Sequence, residues 1–400
     1  MEKKTDFSFD NLETAFAHLS DKELKKTQSL FRLMHYPLLV KSGLWLSKMA
    51  FTLGLPVKGF VKKTVFHQFC GGETIASCRP IIALLDKFGV KSVLDYSVEG
   101  KKEEERLIAA TEEIKRTIAE AGKNAHLAFA VFKVSGIADT ELLQKVQEQK
   151  QLSEAEKESF AAARGRFMGL CDTAAQRSVR LLVDGEESWF QEIIDQWVEE
   201  AMRQYNKDKP IVFNTFQMYR KDMLRRLRDA RHDAVAQGYF LGAKLVRGAY
   251  MENERANAKD RGEEDPIHPT KEATDNAYNE ALKFCIDNKQ RISLVSGSHN
   301  EWSNTLLAEL VDLHGLSRSD ERIYFSQLFG MSDPISFNLA KAGFNVVKYL
   351  PYGPIKEVLP YLARRVEENS GISGQASREL QRINQELRRR KSLPKLPKIA

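Results

Sequence analysis

Arg364 and Arg365 are adjacent on a stretch whose pattern predicts a helix, and Tyr361, three and four positions earlier, falls on the same face. Two neighbouring guanidiniums repel each other unless an anion lies between them, and their forked donors suit a carboxylate or a phosphate. The stretch is introduced by Val346-Val347-Lys348-Tyr349 and the turn Pro351-Tyr352-Gly353-Pro354. That is a strand handing an anion clamp to a cavity. A solvated helix face is the plain alternative for an Arg-Arg pair taken alone. Against it stands the upstream sequence, where polar residues capable of chemistry follow apolar runs: Glu99, Lys133, Asp184, Gln217, Arg247 with Tyr250, His299, Gln327 and Tyr349.

Such residues act together only if the chain gathers them. Eight short β-rich runs occupy 93–96, 127–133, 179–184, 211–216, 241–246, 292–296, 323–325 and 346–349. Most separations are long enough for a crossover helix, so parallel strands are the natural connection. Helices are expected over 187–205, 218–236, 269–288 and 334–342, the last with Asp333 as N-cap and Pro334 at its first position. Eight βα units over 91–370 predict an α/β fold, a (β/α)8 TIM-type barrel, whose C-terminal strand ends converge on one mouth. An open doubly wound sheet is the alternative, and it has no special reason to stop at eight.

Two extensions flank this unit. Residues 1–90 read as a helical N-terminal arm, in which Ser20-Asp-Lys-Glu23 has capping-box spacing and Leu30, Phe31, Met34, Leu38 and Leu39 follow at helical intervals. Residues 371–400 read as a basic C-terminal tail, with Arg388-Arg389-Arg390-Lys391 and then Lys395 and Lys398 spaced by prolines. A solvated helix end and linker is one reading of that tail; contact with an anionic surface such as a membrane leaflet is the other.

Composition narrows the class. With 400 residues, 42% hydrophobic and 29% charged, the chain can bury a large core and is not disordered in bulk. A net charge of +6 is too small to argue for nucleic acid. Cys70, Cys78, Cys171 and Cys285 are scattered without zinc spacing, which predicts a reduced, intracellular chain without a structural metal. The charged N-terminus is unlike a secretory signal, and the most apolar stretch, 38–57, is interrupted by Lys41 and Lys48, so no membrane span is expected.

The usual nucleotide signatures, GxGxxG after a strand and GxxxxGK[ST], do not occur, nor does HExxH or a GxSxG elbow. The expected mouth is instead rich in cations (Lys133, Arg247, Arg364, Arg365) and in hydrogen-bonding aromatics (Tyr250, Tyr349, Tyr361). Such a site suits a ligand with phosphates, a carboxylate and flat surfaces to stack.

Lys244-Leu-Val-Arg-Gly-Ala-Tyr250, Gln327-Leu-Phe-Gly-Met331, Ser298-His-Asn300 and Tyr361-Leu-Ala-Arg-Arg-Val-Glu-Glu-Asn369 together resemble proline dehydrogenase, in its monofunctional form. The resemblance runs from about Leu94 to Asn369. It implies FAD at the mouth of a distorted barrel and L-proline as substrate, oxidised to Δ1-pyrroline-5-carboxylate by hydride transfer from C5 to flavin N5, with electrons passed to a quinone. It implies that Arg364, Arg365 and Lys133 clamp the proline carboxylate, that Tyr349, Tyr361 and Leu328 pack on its ring, and that Asp184 pairs with Lys133 or orders the flavin. Flavin contacts carry over to Gln217, Lys244, Val246, Arg247, Gly248, Ala249, Tyr250, Lys271, Thr274, Ser298, His299, Asn300 and Gln327, with Lys244 placing a cation near N5. Two residues depart from the family pattern: Ser298 before His-Asn, and Pro360, which implies that the clamp helix kinks or begins its regular part late.

Rival readings stay within reach of the same residues. Hydroxyproline oxidation needs a smaller residue where Tyr349 stands. A Schiff-base barrel would use Lys133. A peripheral membrane module would rest on Trp45, Lys41, Lys48 and the tail, and is compatible with quinone reduction at the inner membrane by a cytoplasmic enzyme.

Overall fold

In the computed structural model, which describes residues 6–34, 36, 58–98, 103–370 and 375–393, the β-rich runs form eight parallel strands. They are β1 (Val90–Tyr96), β2 (Leu127–Phe132), β3 (Leu181–Val183), β4 (Val212–Gln217), β5 (Leu241–Val246), β6 (Ile292–Gly297), β7 (Ile323–Leu328) and β8 (Val346–Tyr352). Each pairs with its sequence neighbour and β8 closes on β1, so the sheet has no edge. A register shift between Ser92 and Val93 and the three-residue β3 make the barrel irregular.

Alternation decides what the barrel contains. Its interior is Val93, Phe129, Val131, Leu182, Phe213, Val295, Tyr324, Val347 and Tyr349. Two residues on, the same inward face carries Asp95 after Val93, Lys133 after Val131 and Asp184 after Leu182. The interior is therefore apolar at its foot and charged at its mouth. At the foot, Phe129 meets Tyr324 and Phe213 edge-on at 4.9 and 5.6 Å, and the Arg180 guanidinium lies over Phe129 and Tyr324.

Outside the sheet, a large apolar cluster joins strand residues such as Leu181, Ala243 and Phe325 to helices such as Ser188–Tyr205 and Lys271–Asp287. The helix Ile75–Asp86, in the N-terminal arm by sequence, also packs on the wall through Cys78 and Ile82 against Leu94, Leu350 and Tyr352.

A separate apolar cluster lies over the mouth. It combines Phe16, Leu24 and Phe31 from the arm, Phe66 and Phe69 from the helical run before Cys70, Met331 after β7, Tyr361, Leu362 and Val366 from the helix after β8, and Ile383 and Leu387 near the C-terminus. The helix Leu359–Ser370 therefore contributes to a cap rather than to the outer ring. Pro360 is its second residue, where the N–H has no intrahelical acceptor, so the proline starts the helix without kinking it.

Three expectations are corrected. The helix expected from 218 begins at Met223, because the preceding backbone extends the β4–β5 pairing: the Met218 and Tyr219 N–H groups donate to the Val246 and Arg247 carbonyls at 2.8 and 2.7 Å. Ser332, not Asp333, is the N-cap of Asp333–Lys341, since the Asp333 carboxylate is drawn to Lys348 Nζ at 2.8 Å. The described part of the basic tail is not a linker: Gln375–Ser392 is a helix packed on the arm's Asp21–Met34. There the buried Glu386 accepts from Arg389 and Arg390, Arg390 also bonds Asp21 at 2.9 Å, and Arg382 pairs with Glu301 at 2.7 Å. Glu99, Leu38, Leu39, Lys41, Trp45, Lys48, Lys395 and Lys398 lie outside the described residues. Among the described residues no helix is long and apolar enough to cross a membrane.

Candidate active site at the barrel mouth

The mouth is organised around Asp184, which stands one step past β3. Its Oδ2 accepts from Lys133 Nζ at 2.9 Å and its Oδ1 from Lys244 Nζ at 2.6 Å. The Tyr349 hydroxyl, in β8, lies 3.5 Å from Oδ1, and Lys244 Nζ sits 4.6 Å from the Tyr349 ring centre. Asp184, Lys244 and Tyr349 are all buried. Burial alone would raise the Asp184 carboxyl, but Lys133 and Lys244 hold it well below the usual carboxylate range. Burial pulls the Lys244 ammonium below its ordinary range against the attraction of Asp184, and burial followed by Asp184 pushes the Tyr349 phenol well above its own. Two cations thus share Asp184, with a protonated phenol beside them. Of the two readings open for Asp184, pairing with Lys133 is realised, and pairing with Lys244 is added.

Strand phase explains why these residues meet. Lys244 is paired in register with Thr215 on β4 and Val295 on β6. Tyr349 is in register with Val93 on β1 and Leu328 on β7.

The β4–β7 ends form a second polar surface. Gln217 Nε2 donates to the Glu186 carbonyl at 2.7 Å, and Gln327 Nε2 to the Ser298 carbonyl at 3.0 Å. The Arg247 guanidinium is fixed on three sides by Asp275 at 2.6 Å, Ser298 Oγ at 2.8 Å and Ser303 Oγ at 2.9 Å, and it lies 4.4 Å from the Tyr278 ring centre. Asp275 also takes Lys271, an exposed lysine one turn earlier on the helix whose Thr274 is buried. Val246 and Arg247 give their carbonyls to the 218–219 segment. Gly248 and Ala249 are exposed and Tyr250 is buried at the start of Met251–Arg261. Gly248 has φ +137°, and a Cβ there would come within 2.4 Å of the Tyr219 ring, so only glycine fits this turn.

Asn300 caps Glu301–Leu313 by accepting from the Ser303 N–H at 3.1 Å. His299 Nδ1 meets Ser332 Oγ at 2.8 Å. Burial, with Lys348, Arg365 and Arg247 nearby, pulls the His299 imidazole down to about 3, so it is neutral at ordinary pH.

From the cap come Tyr361 and Arg365, both buried, with the guanidinium 5.3 Å from the tyrosine ring centre. The Arg365 charge acts on His299. Arg364 is half-buried on the same turn. Leu328 touches both the barrel interior and the cap cluster, bridging Tyr349 to Tyr361.

Two contributors were not singled out from sequence. Asp95, in β1, is buried and acts electrostatically on both Lys244 and Tyr349. The sequence signal exists, since a carboxylate inside an apolar run in phase with Val93 must point into the barrel, whereas Glu99 stands beyond the run. Lys348, fully buried in β8, bonds the Met331 carbonyl and Asp333. A lysine in a strand gives its phase but not its partner, which comes from another loop.

A family model described as proline dehydrogenase matches residues 78–378. The chain is 40% identical over 250 residues to the mitochondrial proline dehydrogenase 1 of Drosophila melanogaster, covering 60% of this chain and 37% of that protein. It is 30% identical to the mitochondrial proline dehydrogenase 1 of Arabidopsis thaliana, covering 97% of this chain and 88% of that one. Among solved structures, proline utilization A from Bdellovibrio bacteriovorus shares the fold with a TM-score of 0.71 at 17% identity, covering 97% of this chain and 40% of that chain.

Proposed function

This chain belongs to the proline dehydrogenase family, and on that premise we propose that it oxidises L-proline to Δ1-pyrroline-5-carboxylate with FAD as its resident cofactor and a quinone as the final acceptor. The observation that carries the reading is the Lys133–Asp184–Lys244–Tyr349 cluster, buried except for the half-buried Lys133, with the buried Arg365 on the helix that follows β8. A largely water-excluded mouth that combines cations with aromatic rings fits a small cyclic amino acid held by its carboxylate.

The residues at the β4–β7 ends fit a flavin dinucleotide. Arg247 is held in a fixed orientation suited to an anionic group, Gly248 leaves bare backbone for close approach, and Gln217 and Gln327 offer amides. Lys244, Val246, Ala249, Tyr250, Lys271, Thr274, Ser298, His299 and Asn300 belong to the same surface. When bound, FAD supplies the two-electron acceptor for the hydride leaving C5.

The chain's own work is positioning and charge. Arg364, Arg365 and Lys133 draw in the carboxylate, and Tyr349, Tyr361 and Leu328 press on the apolar edges of the ring, fixing C5 in one place. Lys244 puts a preformed positive charge where a reduced flavin gathers negative charge, and Asp184 keeps that ammonium oriented. The substrate amine must be neutral when the hydride leaves. Asp184, held ionised between two ammoniums, is too weak a base to take its proton, and the Tyr349 phenol, which stays protonated, cannot take it. With its amine engaged by Asp184, Lys133 suits a Schiff base poorly.

The test is the purified full chain: a yellow flavin spectrum that bleaches on anaerobic addition of L-proline and recovers on adding a soluble quinone. Protein that takes up FAD but is not bleached by L-proline would overturn the substrate, and protein that takes up no FAD would overturn the reading as a whole. Peripheral membrane association and a cytoplasmic location on the inner membrane extend the proposal. The exposed Arg388 and Lys391 support it, while Arg382, Arg389 and Arg390 are committed to carboxylates inside the cap.

A further inference from the structure

Ser332 is an N-cap serine that does not cap. A serine in that position normally turns its hydroxyl to an N–H of its own helix. Ser332 instead has φ 53° and ψ 39°, makes no side-chain cap bond, and meets His299 Nδ1 with its Oγ at 2.8 Å. A left-handed serine and a forgone cap each cost free energy, and such a conformation persists only where its surroundings enforce it.

The surroundings do so from three sides. Glu379, buried on the C-terminal helix, accepts the Ser332 N–H at 2.8 Å through Oε1. Gln68, from the arm, donates to the Gly330 carbonyl at 2.9 Å. Lys348 holds the Met331 carbonyl and Asp333, whose other oxygen is 3.4 Å from His18. Both ends of the chain therefore grip one turn, and that turn presents one hydroxyl to His299.

We propose that Glu379 is a positioning residue for the active site: by holding the Ser332 backbone it aims Ser332 Oγ at His299 and fixes that imidazole in one orientation against the cofactor. The last step rests on the flavin reading of His299; the coupling from Glu379 to His299 does not. The inference gives the C-terminal helix a task in the site although none of its side chains belongs to the β-strand ends.

The experiment follows the His299 C2–H by NMR, assigned by its loss in His299→Asn, through a pH titration of the full chain without added flavin. In the wild type it should stay neutral to below pH 4. Glu379→Ala and Ser332→Ala should each shift its titration by about one unit or more, upward if Ser332 donates to Nδ1 and downward if it accepts, while Glu379→Gln, which keeps an acceptor, should match the wild type. Ser332→Ala removes only the hydroxyl and keeps the test decisive if Glu379→Ala does not fold. With FAD supplied, the same two alanine variants should bind it roughly tenfold or more weakly and alter its visible circular dichroism, as loss of an orienting partner does. An unmoved His299 titration in Ser332→Ala overturns the coupling. A moved titration with unchanged FAD binding and dichroism overturns only the link to the cofactor, and a wild type that binds no FAD counts against the flavin reading rather than the coupling.

Discussion

The barrel and the cap above it bury carboxylates in opposite settings. Asp184 lies between two ammoniums, and its ionised form is held in place. Glu379 lies beside another carboxylate, Asp333; burial and that neighbour raise it to about 7, while the Ser332 N–H, Lys348 and Arg382 only partly offset them. The barrel mouth is therefore an electrostatic arrangement that ordinary pH does not disturb, and the cap is one whose protonation changes near neutrality. Fixed charge suits a group that must face substrate at every turnover, and a titratable contact suits the element that covers it.

The largest effect should come from the barrel side. Asp184→Asn leaves the buried Lys244 and the half-buried Lys133 with one neutral partner, and breaking a buried pair in this way costs about 3–5 kcal/mol. Urea unfolding should show that loss, and proline turnover should fall with it. If stability were unchanged, Asp184 would not be the centre of the mouth. Next comes the turn that joins the regions. Gly330 has φ +76°, and a Cβ there would sit 2.0 Å from the Gln68 carbonyl oxygen. Gly330→Ala should cost about 3 kcal/mol through backbone strain and displacement of the arm. Limited proteolysis should then cut the arm while the barrel stays intact; equal resistance in both variants would erase the boundary between barrel and cap.

The pH dependence separates the regions by sign. Glu379 has a folded value raised from 4.5 to about 7, so the folded state binds more protons than the unfolded chain between those values. Its contribution is then fully present below about pH 4.5 and is lost as pH rises through about 7, a change of about 3 kcal/mol. Asp184 has a depressed folded value, so its contribution is present above the unfolded value of 3.8 and is lost only as pH falls below that. The stability of the wild type relative to Glu379→Gln should fall as pH rises from 5 to 8. A difference that stays constant over that range would place the responsible group elsewhere.

The two regions also differed in how far sequence alone could reach. Each of the eight strands was visible because alternating apolar residues bounded by polar ends repeat on a local period, and the same period puts Lys133 and Asp184 in phase with Val131 and Leu182. Tyr361 and Arg365 were legible as one helix face. The cap was not, because its contacts join residues such as Gln28 and Asn384 that lie at opposite ends of the chain. Arg389 and Arg390 read as solvent-facing charges until Glu386 is seen buried between them and the core. Ser332 was hidden for the same reason: its strained backbone is imposed by Glu379, and no local pattern encodes it.

The smallest expected effect asks which region reads the substrate. In the proposed complex, proline lies between Tyr349 of the barrel and Tyr361 of the cap, with Leu328 touching both clusters. Tyr349 is held by Lys244 beneath its ring and by Asp184 at its hydroxyl, so in the proposed complex it is the fixed wall that an added hydroxyl would meet. Tyr361 sits on the cap helix, outside the barrel wall. Tyr349→Ser should therefore raise the kcat/KM of hydroxyproline relative to proline by about tenfold, the scale at which a pocket discriminates small differences in substrate size. Tyr361→Ser should weaken both substrates alike, because it loosens the cover without reshaping the fixed wall. If the ratio moved only in Tyr361→Ser, the cap would set selectivity and the rigid barrel would merely supply charge.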